Sequence, residues 1–541
     1  MGIGLRPAVM ALAAVACVSG QSGGELRFCL GADPKTFDPL LAEEAASEAI
    51  RFLTGGVLIR FNRQSHQLEP ELAVSWTVRE QSRRIDFVLR RNVRFSDGTP
   101  FGPGDVAATF RRIMRPNLNS GIVDSFRAAG GDIRTEVSGS DRVSLFFSAP
   151  VAGLELLFDQ LAISSSGQVQ PQDAVLGPFM MAEHKGGQYV LLRRNPYYWK
   201  VDGSGRKLPY LDTVRLDIQA NRETEILRFR RGELQLVDRL EPEAYERLQK
   251  EMPAAVRNPG PSLDAEFFWF NQTPEAPFPA YKRRWMQSKL FRRAISAAVN
   301  RDDIIRLVYR GYARPAAGPV SPANVFWFNS KLIPPRYDPQ LALRLLQDDG
   351  FRREGEVLRD REGNAVEFSL ITNAGSNTRT RIGTMLQQDL KKIGIRVNFT
   401  PIEFQSLIAR ITQTQQYEVC LLGLSNIEID PNSQMNVWLS SGALHPWYPR
   451  QAAPATPWEA EIDRFMQAQH TAPDRKVRKT AFDRVQELIS EQAPIVYLVH
   501  PEVLLAVSPS LRNAAPSALP PHLFWNVESL WLAGTSPRRA N

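Results

Sequence analysis

Histidines, cysteines and glycine-rich turns are the residues most apt to do chemistry, and here their spacing nominates no reaction. The six histidines (His66, His184, His445, His470, His500, His522) stand far apart. There is no His-Glu-x-x-His pair and no Cys/His cluster, so no local arrangement offers a zinc site. No G-x-x-x-x-G-K loop is present to cradle a nucleotide phosphate. The one G-x-S-x-G match, residues 20–24, lies in a polar, glycine-rich stretch, whereas a nucleophile elbow needs a strand before the serine and a helix after it. Carboxylates are plentiful, but nothing local pairs them into an acid/base dyad. These residues predict no catalytic site, no metal site and no cofactor.

The three cysteines cannot form a disulfide framework for 541 residues. Cys29 and Cys420 each lie in a β-like apolar segment and read as small buried hydrophobes. Cys17 is different. Arg6 and the apolar run 8–16 precede it, and that run is far below the ~20 residues needed to span a bilayer, so it reads as an export signal. Ala14-Val15-Ala16-Cys17 resembles a bacterial lipobox, with Ala14 where leucine is usual. Residues 1–17 are therefore expected to be a signal peptide, with Cys17 the candidate lipidation site and ordinary cleavage the alternative. Residues 18–24 would be a flexible tether.

The rest of the composition is that of a folded protein: 43% hydrophobic, 23% charged and 9% aromatic, too apolar for disorder and too polar for a membrane bundle. Lysine plus arginine number 66 against 58 acids, a net charge of +8. The arginine pairs are spread along the chain and interrupted by acids rather than gathered into a stripe, so a nucleic-acid partner is not expected.

Short strands alternate with helices, the α/β signature. Alternation at Ile85, Phe87 and Leu89, and at Val143, Leu145 and Phe147, predicts strands. Helical spacing appears at Val106, Phe110 and Ile113, with Asp105 expected to cap the first turn. It recurs at Phe291, Ile295 and Ala298, at Ile382, Leu386 and Leu390 before Gly394, and at Val477, Ala481, Val485 and Leu488.

One string is more specific. Residues 69–76 (Glu-Pro-Glu-Leu-Ala-Val-Ser-Trp) lead into 85–106, which combines a strand, an Asp97-Gly98 turn and a capped helix. Taken alone these residues are scaffold. As a whole, the string resembles the signature of the family 5 extracellular solute-binding proteins, the dipeptide and oligopeptide receptors of ABC importers. Further blocks follow in the family's order: Asp38-Pro39, the Asn-Pro-Tyr-Tyr-Trp of 195–199, the helix at 290–303, Tyr337-Asp338-Pro339 through Gly350, 390–395 and 493–497. Asn300 stands where aspartate is usual.

The resemblance implies a two-lobed periplasmic-binding-protein-like α/β fold with a hinge and an extra N-terminal subdomain. Carried over, the discontinuous first lobe would be 25–60, 176–268 and 493–533, the inserted subdomain 61–175, and the second lobe 269–492. Hinge crossings would fall near 267–271 and 491–494. In the family's peptide receptors, a carboxylate in a loop just before a proline holds the ligand's amine. The matching segment is 420–431, leading to Trp438, and the family's aspartate position falls on Ile427. Glu428, one residue on, is the first candidate for the role and Asp430 the second; the alternative is that both are loop carboxylates facing water. Asn373, Asn377 and Arg379 lie in a second loop that contributes contacts in the family, and Trp438 completes the ligand-binding candidates. The aromatic runs 326–328 and 447–448 could line a side-chain pocket or pack in the core.

The function implied is that of an exported receptor, a monomer, that captures a peptide or other small solute and delivers it to an ABC transporter permease complex. It would have no cofactor, no nucleic-acid partner, and a membrane link only through a lipid anchor. Receptors for an oligosaccharide, a nickel chelate or haem are the alternatives, with an exported hydrolase or a peptide-holding chaperone behind them.

Overall fold

The computed structural model describes residues 23–534 except 119, 168, 169, 171 and 425–428. Cys17, Ile427 and Glu428 lie outside the described residues.

Three sheets carry most of the chain. The first is four-stranded, in the order Glu25–Leu30, Thr213–Ile218, Tyr189–Arg194, Phe179–Lys185, with its first pair parallel and the others antiparallel. The second is a four-stranded antiparallel sheet of Ala73–Arg79, Arg84–Leu89, Arg142–Phe147 and Ile133–Ser138. Ile85, Phe87 and Leu89 alternate inward from it, packing with Val143 and Leu145 on Val106, Phe110 and Ile113 of the helix Pro103–Ile113. Asp105 caps that first turn as expected, from the third helical position, back to the N-cap residue Gly102. Its carboxylate accepts from the Gly102 N–H at 2.9 Å and from the Ser166 N–H at 2.8 Å.

The third sheet has six strands, in the order Ala313–Pro315, Ile495–Pro501, Ala265–Phe270, Val419–Leu424, Glu367–Asn373, Arg396–Ile402. Its central strands are buried on both faces, as their near-continuous apolar sequences require. Successive side chains point to opposite faces. Phe268 and Phe270 therefore join Phe291, Ile382 and Leu386 beneath the helices Lys289–Ala298 and Asn377–Lys392. Phe267 and Trp269 join Trp438, Phe482 and Val485 on the other face, under Pro457–Thr471 and Arg475–Gln492. Cys420 is buried among this second group, and Cys29 and Cys420 are both free.

The chain passes between the first and third sheets twice. Strands 265–270 and 495–501 both pair fully within the six-stranded sheet, so the crossings fall at 258–264 and 501–504, several residues from the positions expected. Pairing on both edges holds those strands in the sheet and leaves only the shorter links between lobes. The links run side by side: the Ser262 N–H donates to the Pro501 carbonyl at 2.7 Å and the Val503 N–H to the Gly260 carbonyl at 2.8 Å. Beyond them Leu505–Val507 joins a small sheet with Leu236–Val237 and Val256–Arg257.

His500 lies at this junction, 1% exposed, with Nδ1 3.0 Å from the Asp264 carbonyl. Burial pulls its pKa down to about 4, against the opposing pull of the Asp264 carbonyl. The folded state holds the ring neutral while the unfolded chain protonates it near 6.5. Its contribution is therefore complete above pH 6.5 and is lost as pH falls toward 4, by about 3 kcal/mol. Urea denaturation at pH 7 and at pH 4.5 should show this loss, and His500→Gln should shrink it. An unchanged acid slope in the variant would remove His500 as the cause.

Candidate functional site

Between the lobes lies a cavity of about 800 Å³. Phe28, Phe52 and Phe524 form an aromatic wall, with Phe524 stacked on Phe28 at 5.3 Å and edge-on to Phe52 at 6.0 Å. The subdomain of the second sheet supplies 151–153, Leu156 and Asp159. The third-sheet lobe supplies Ile429, Asp430, Asn432, Met435 and His470. An apolar body with a few placed polar groups is the usual make-up of a ligand site.

Asp159 anchors one side. Its side chain is 7% exposed, with Arg63 at 2.7 Å and Arg60 at 3.5 Å, and it accepts from the Phe61 N–H at 2.9 Å. Burial pushes the carboxyl up, but the Arg63 and Arg60 charges and the Phe61 N–H outweigh it and hold it below the usual carboxylate range. Both guanidinium groups also sit over the Phe52 ring, at 4.7 and 5.9 Å.

Asp430 anchors the other. Arg478 grips it with both terminal nitrogens, at 2.8 and 2.5 Å, and the Asn432 N–H adds a third bond at 3.0 Å. Asp430 thus lines the cavity, but its carboxylate is already engaged and a ligand amine would have to compete with Arg478. Beside it the lobes touch. Asn432 Nδ2 donates to the Ala152 carbonyl at 2.7 Å, and Gly153, at φ +67°, approaches so closely that an added Cβ would lie 2.5 Å from Asp430 Oδ2.

The other expected residues fall elsewhere. Arg379 is held by Glu266, with Nε to Oε2 at 2.9 Å and Nη2 to Oε1 at 3.1 Å, and donates to Asn373 Oδ1 at 2.9 Å. Asn377 is exposed at the start of the helix Asn377–Lys392. None of these three is on the cavity wall. Trp438 is 1% exposed in the core over the third sheet, its Nε1 bonded to Gln434 Oε1 at 3.0 Å. Trp327 and Trp447 are buried in the same core, which decides the aromatic runs in favour of packing.

Sequence reasoning missed Phe52, Asp159, Gly153 and Asp238, all of which line the cavity. No local pattern marks them: Phe52, Asp159 and Gly153 gain their roles from residues far away in the chain, and Asp238 from the lack of a partner. Cys29 also faces the cavity, but burial, reinforced by the Glu225 charge, pushes its thiol up to about 12, which leaves it unreactive. Among the described residues, no three His, Cys, Asp or Glu side chains gather as a metal site, and no helix is long and apolar enough to cross a membrane.

Comparison with known proteins agrees with this architecture. The family model of the bacterial extracellular solute-binding proteins, family 5 Middle, matches residues 67–445. A probable ABC transporter-binding protein of Deinococcus radiodurans is 26% identical over 426 residues, covering 72% of this chain and 70% of the relative. The oligopeptide-binding protein AppA of Bacillus subtilis is 22% identical over 95% of this chain and 92% of its own. Its solved structure, in complex with a nonapeptide, superposes with a TM-score of 0.71 at 22% identity, covering 95% of this chain and 100% of that one. NikA from Brucella suis, in complex with Fe(III)-EDTA, superposes at 0.77 and 22% identity over 94% of this chain and 100% of its own. The fold is the two-lobed one of these proteins.

Proposed function

Because the chain belongs to the bacterial extracellular solute-binding proteins of family 5, we propose that it captures a short peptide in the cavity between its lobes and passes it to an ABC importer. The carrying observation is the cavity of about 800 Å³ whose walls come from both lobes, apolar on one side and charged at both ends. A bound peptide bridges the walls, and closure about 258–264 and 501–504 buries it and presents a joint surface to the permease. AppA, similar over nearly the whole chain, carries a nonapeptide in its solved structure. The family is one of solute receptors, and the reading assigns no reaction.

Residues 25–60, 176–257 and 505–533 then serve as the first lobe, 61–175 as its insertion and 265–500 as the second lobe, joined through 258–264 and 501–504. Lipidation of Cys17 would tether the receptor to the membrane's outer face. A diacylglyceryl adduct on the mature N-terminus, read by mass spectrometry of membrane-extracted protein, is the expected result.

Thermal and urea unfolding with a pool of di- to pentapeptides tests the reading. A peptide at 100-fold above its Kd should add about 2.7 kcal/mol of stability. No shift with any peptide would turn the search to oligosaccharides and metal chelates.

Gly153 tests closure. An alanine there must hold a left-handed φ, a strain of about 1–3 kcal/mol, and its methyl group meets Asp430. Gly153→Ala should weaken peptide affinity about tenfold, by isothermal titration, as the 152–153 and 430–432 segments are pushed apart. Unchanged affinity would mean that this contact plays no part in the bound state.

A further inference from the structure

Seven acidic residues line the cavity, and six of them are already partnered or exposed. Asp33 meets His184 Nε2 at 2.9 Å and the Gly187 N–H at 2.8 Å. Glu44 caps the helix Ala45–Thr54 through the Ser47 N–H at 2.9 Å. Glu48 is half-exposed, with Arg51 3.7 Å away. Glu225 is paired with Arg222 at 2.5 Å, Asp159 with Arg63 at 2.7 Å, and Asp430 with Arg478 at 2.5 Å. Asp238 is the exception. It follows the strand Leu236–Val237, and its Oδ1 is shut away from solvent with no hydrogen-bond partner.

A carboxylate oxygen removed from water and left without a donor is costly, and a buried charge persists only where something pairs with it. The neighbouring Glu225, itself 1% exposed, adds a second negative charge to the same corner, and the Asp238 charge in turn pushes the Glu225 carboxyl upward, after the larger effect of burial. Arg222 is spent on Glu225. The next residue, Arg239, also lines the cavity but is exposed and gives Asp238 Oδ1 no hydrogen bond, so what that oxygen lacks is a donor. On the third-sheet side Asp430 is already held by Arg478.

We propose that Asp238 receives the ammonium group of the ligand. The assignment rests on the peptide reading above. An ammonium donates up to three hydrogen bonds, and a turn of the Asp238 side chain that brings its buried Oδ1 to the cavity wall would give the orphan oxygen its donor. The fold places Asp238 at the end of the strand Leu236–Val237, which pairs with Leu505–Val507 immediately beyond the interlobe link, so the amine would be held where closure pivots.

A tripeptide library and the same library N-acetylated, offered in competition and read by native mass spectrometry, test this against wild type, Asp238→Asn and Asp238→Ala. Wild type should prefer the free-amine library by about tenfold to a hundredfold, the range of a charge-assisted hydrogen bond, and both variants should lose that preference while still binding acetylated peptides. The thermal midpoint of either unliganded variant should not fall, since an unpaired charge is being removed, which separates a binding effect from misfolding. If the variants keep the wild-type preference, Asp238 is not the amine site although the peptide reading stands. If wild type binds both libraries equally, no amine is recognised and the assignment fails. If wild type binds neither library, the peptide reading itself fails and takes the assignment with it.

Discussion

Arg478→Ala should destabilise the protein by about 3–5 kcal/mol, the cost of stripping the partner from a buried charge. Arg478 is 3% exposed and Asp430 13%. Besides gripping Asp430, the guanidinium donates from Nε to the Gln469 carbonyl at 2.9 Å and from Nη2 to Gln469 Oε1 at 3.1 Å, and it lies over the Trp327 ring at 5.0 Å. One side chain thus ties the loop before Pro431 to both helices over the third sheet. Alanine leaves the Asp430 carboxylate at the cavity wall with only the Asn432 N–H as hydrogen-bond partner. The paired replacement Arg478→Met with Asp430→Leu should recover most of the loss, because two apolar groups need no partner. Urea denaturation measures both. A loss under 1 kcal/mol in the single variant would show that water reaches the pair.

Trp438→Ala should cost a similar 3–5 kcal/mol, the range for deleting a buried aromatic side chain. Trp438 packs among Trp269, Cys420, Val485 and Leu488, and only its Nε1 makes a polar contact, to Gln434. Trp438→Phe should be far milder, about 1 kcal/mol, losing chiefly that hydrogen bond. Ligand affinity separates the two roles open to this residue. As a core residue off the cavity wall, Trp438→Phe should leave the Kd of a bound peptide unchanged. A tenfold weaker Kd with unchanged stability would place the ring against the ligand instead.

The two residues show why the scaffold is easier to read from sequence than the site. Alternation at 85–89 and the helical spacing at 382–390 are local patterns, and the strand and helix both form where those patterns lie. The ordered blocks that resemble family 5 likewise point to the two-lobed fold. Trp438 could be read from the chain as an aromatic residue near a candidate loop. Whether it faces a ligand or a sheet depends on Trp269, 169 residues earlier. Asp430 was legible as a loop carboxylate before a proline, but its engagement depends on Arg478, 48 residues later. Asp238 is harder still, because what distinguishes it is a partner it lacks, and no spacing records that. The interlobe links were misplaced by several residues for a related reason: pairing on both edges of 265–270 and 495–501 extends the sheet past the family's apparent boundary.

The central claim is that the cavity between the lobes holds peptides. The most direct measurement is native mass spectrometry of the protein purified from a peptide-rich culture, followed by sequencing of whatever is released. The account predicts a ladder of adducts that sequence as short peptides and disappear when the protein is unfolded. Adducts that prove to be a sugar or a metal chelate would contradict it, as would bare protein that no peptide stabilises even at millimolar concentration.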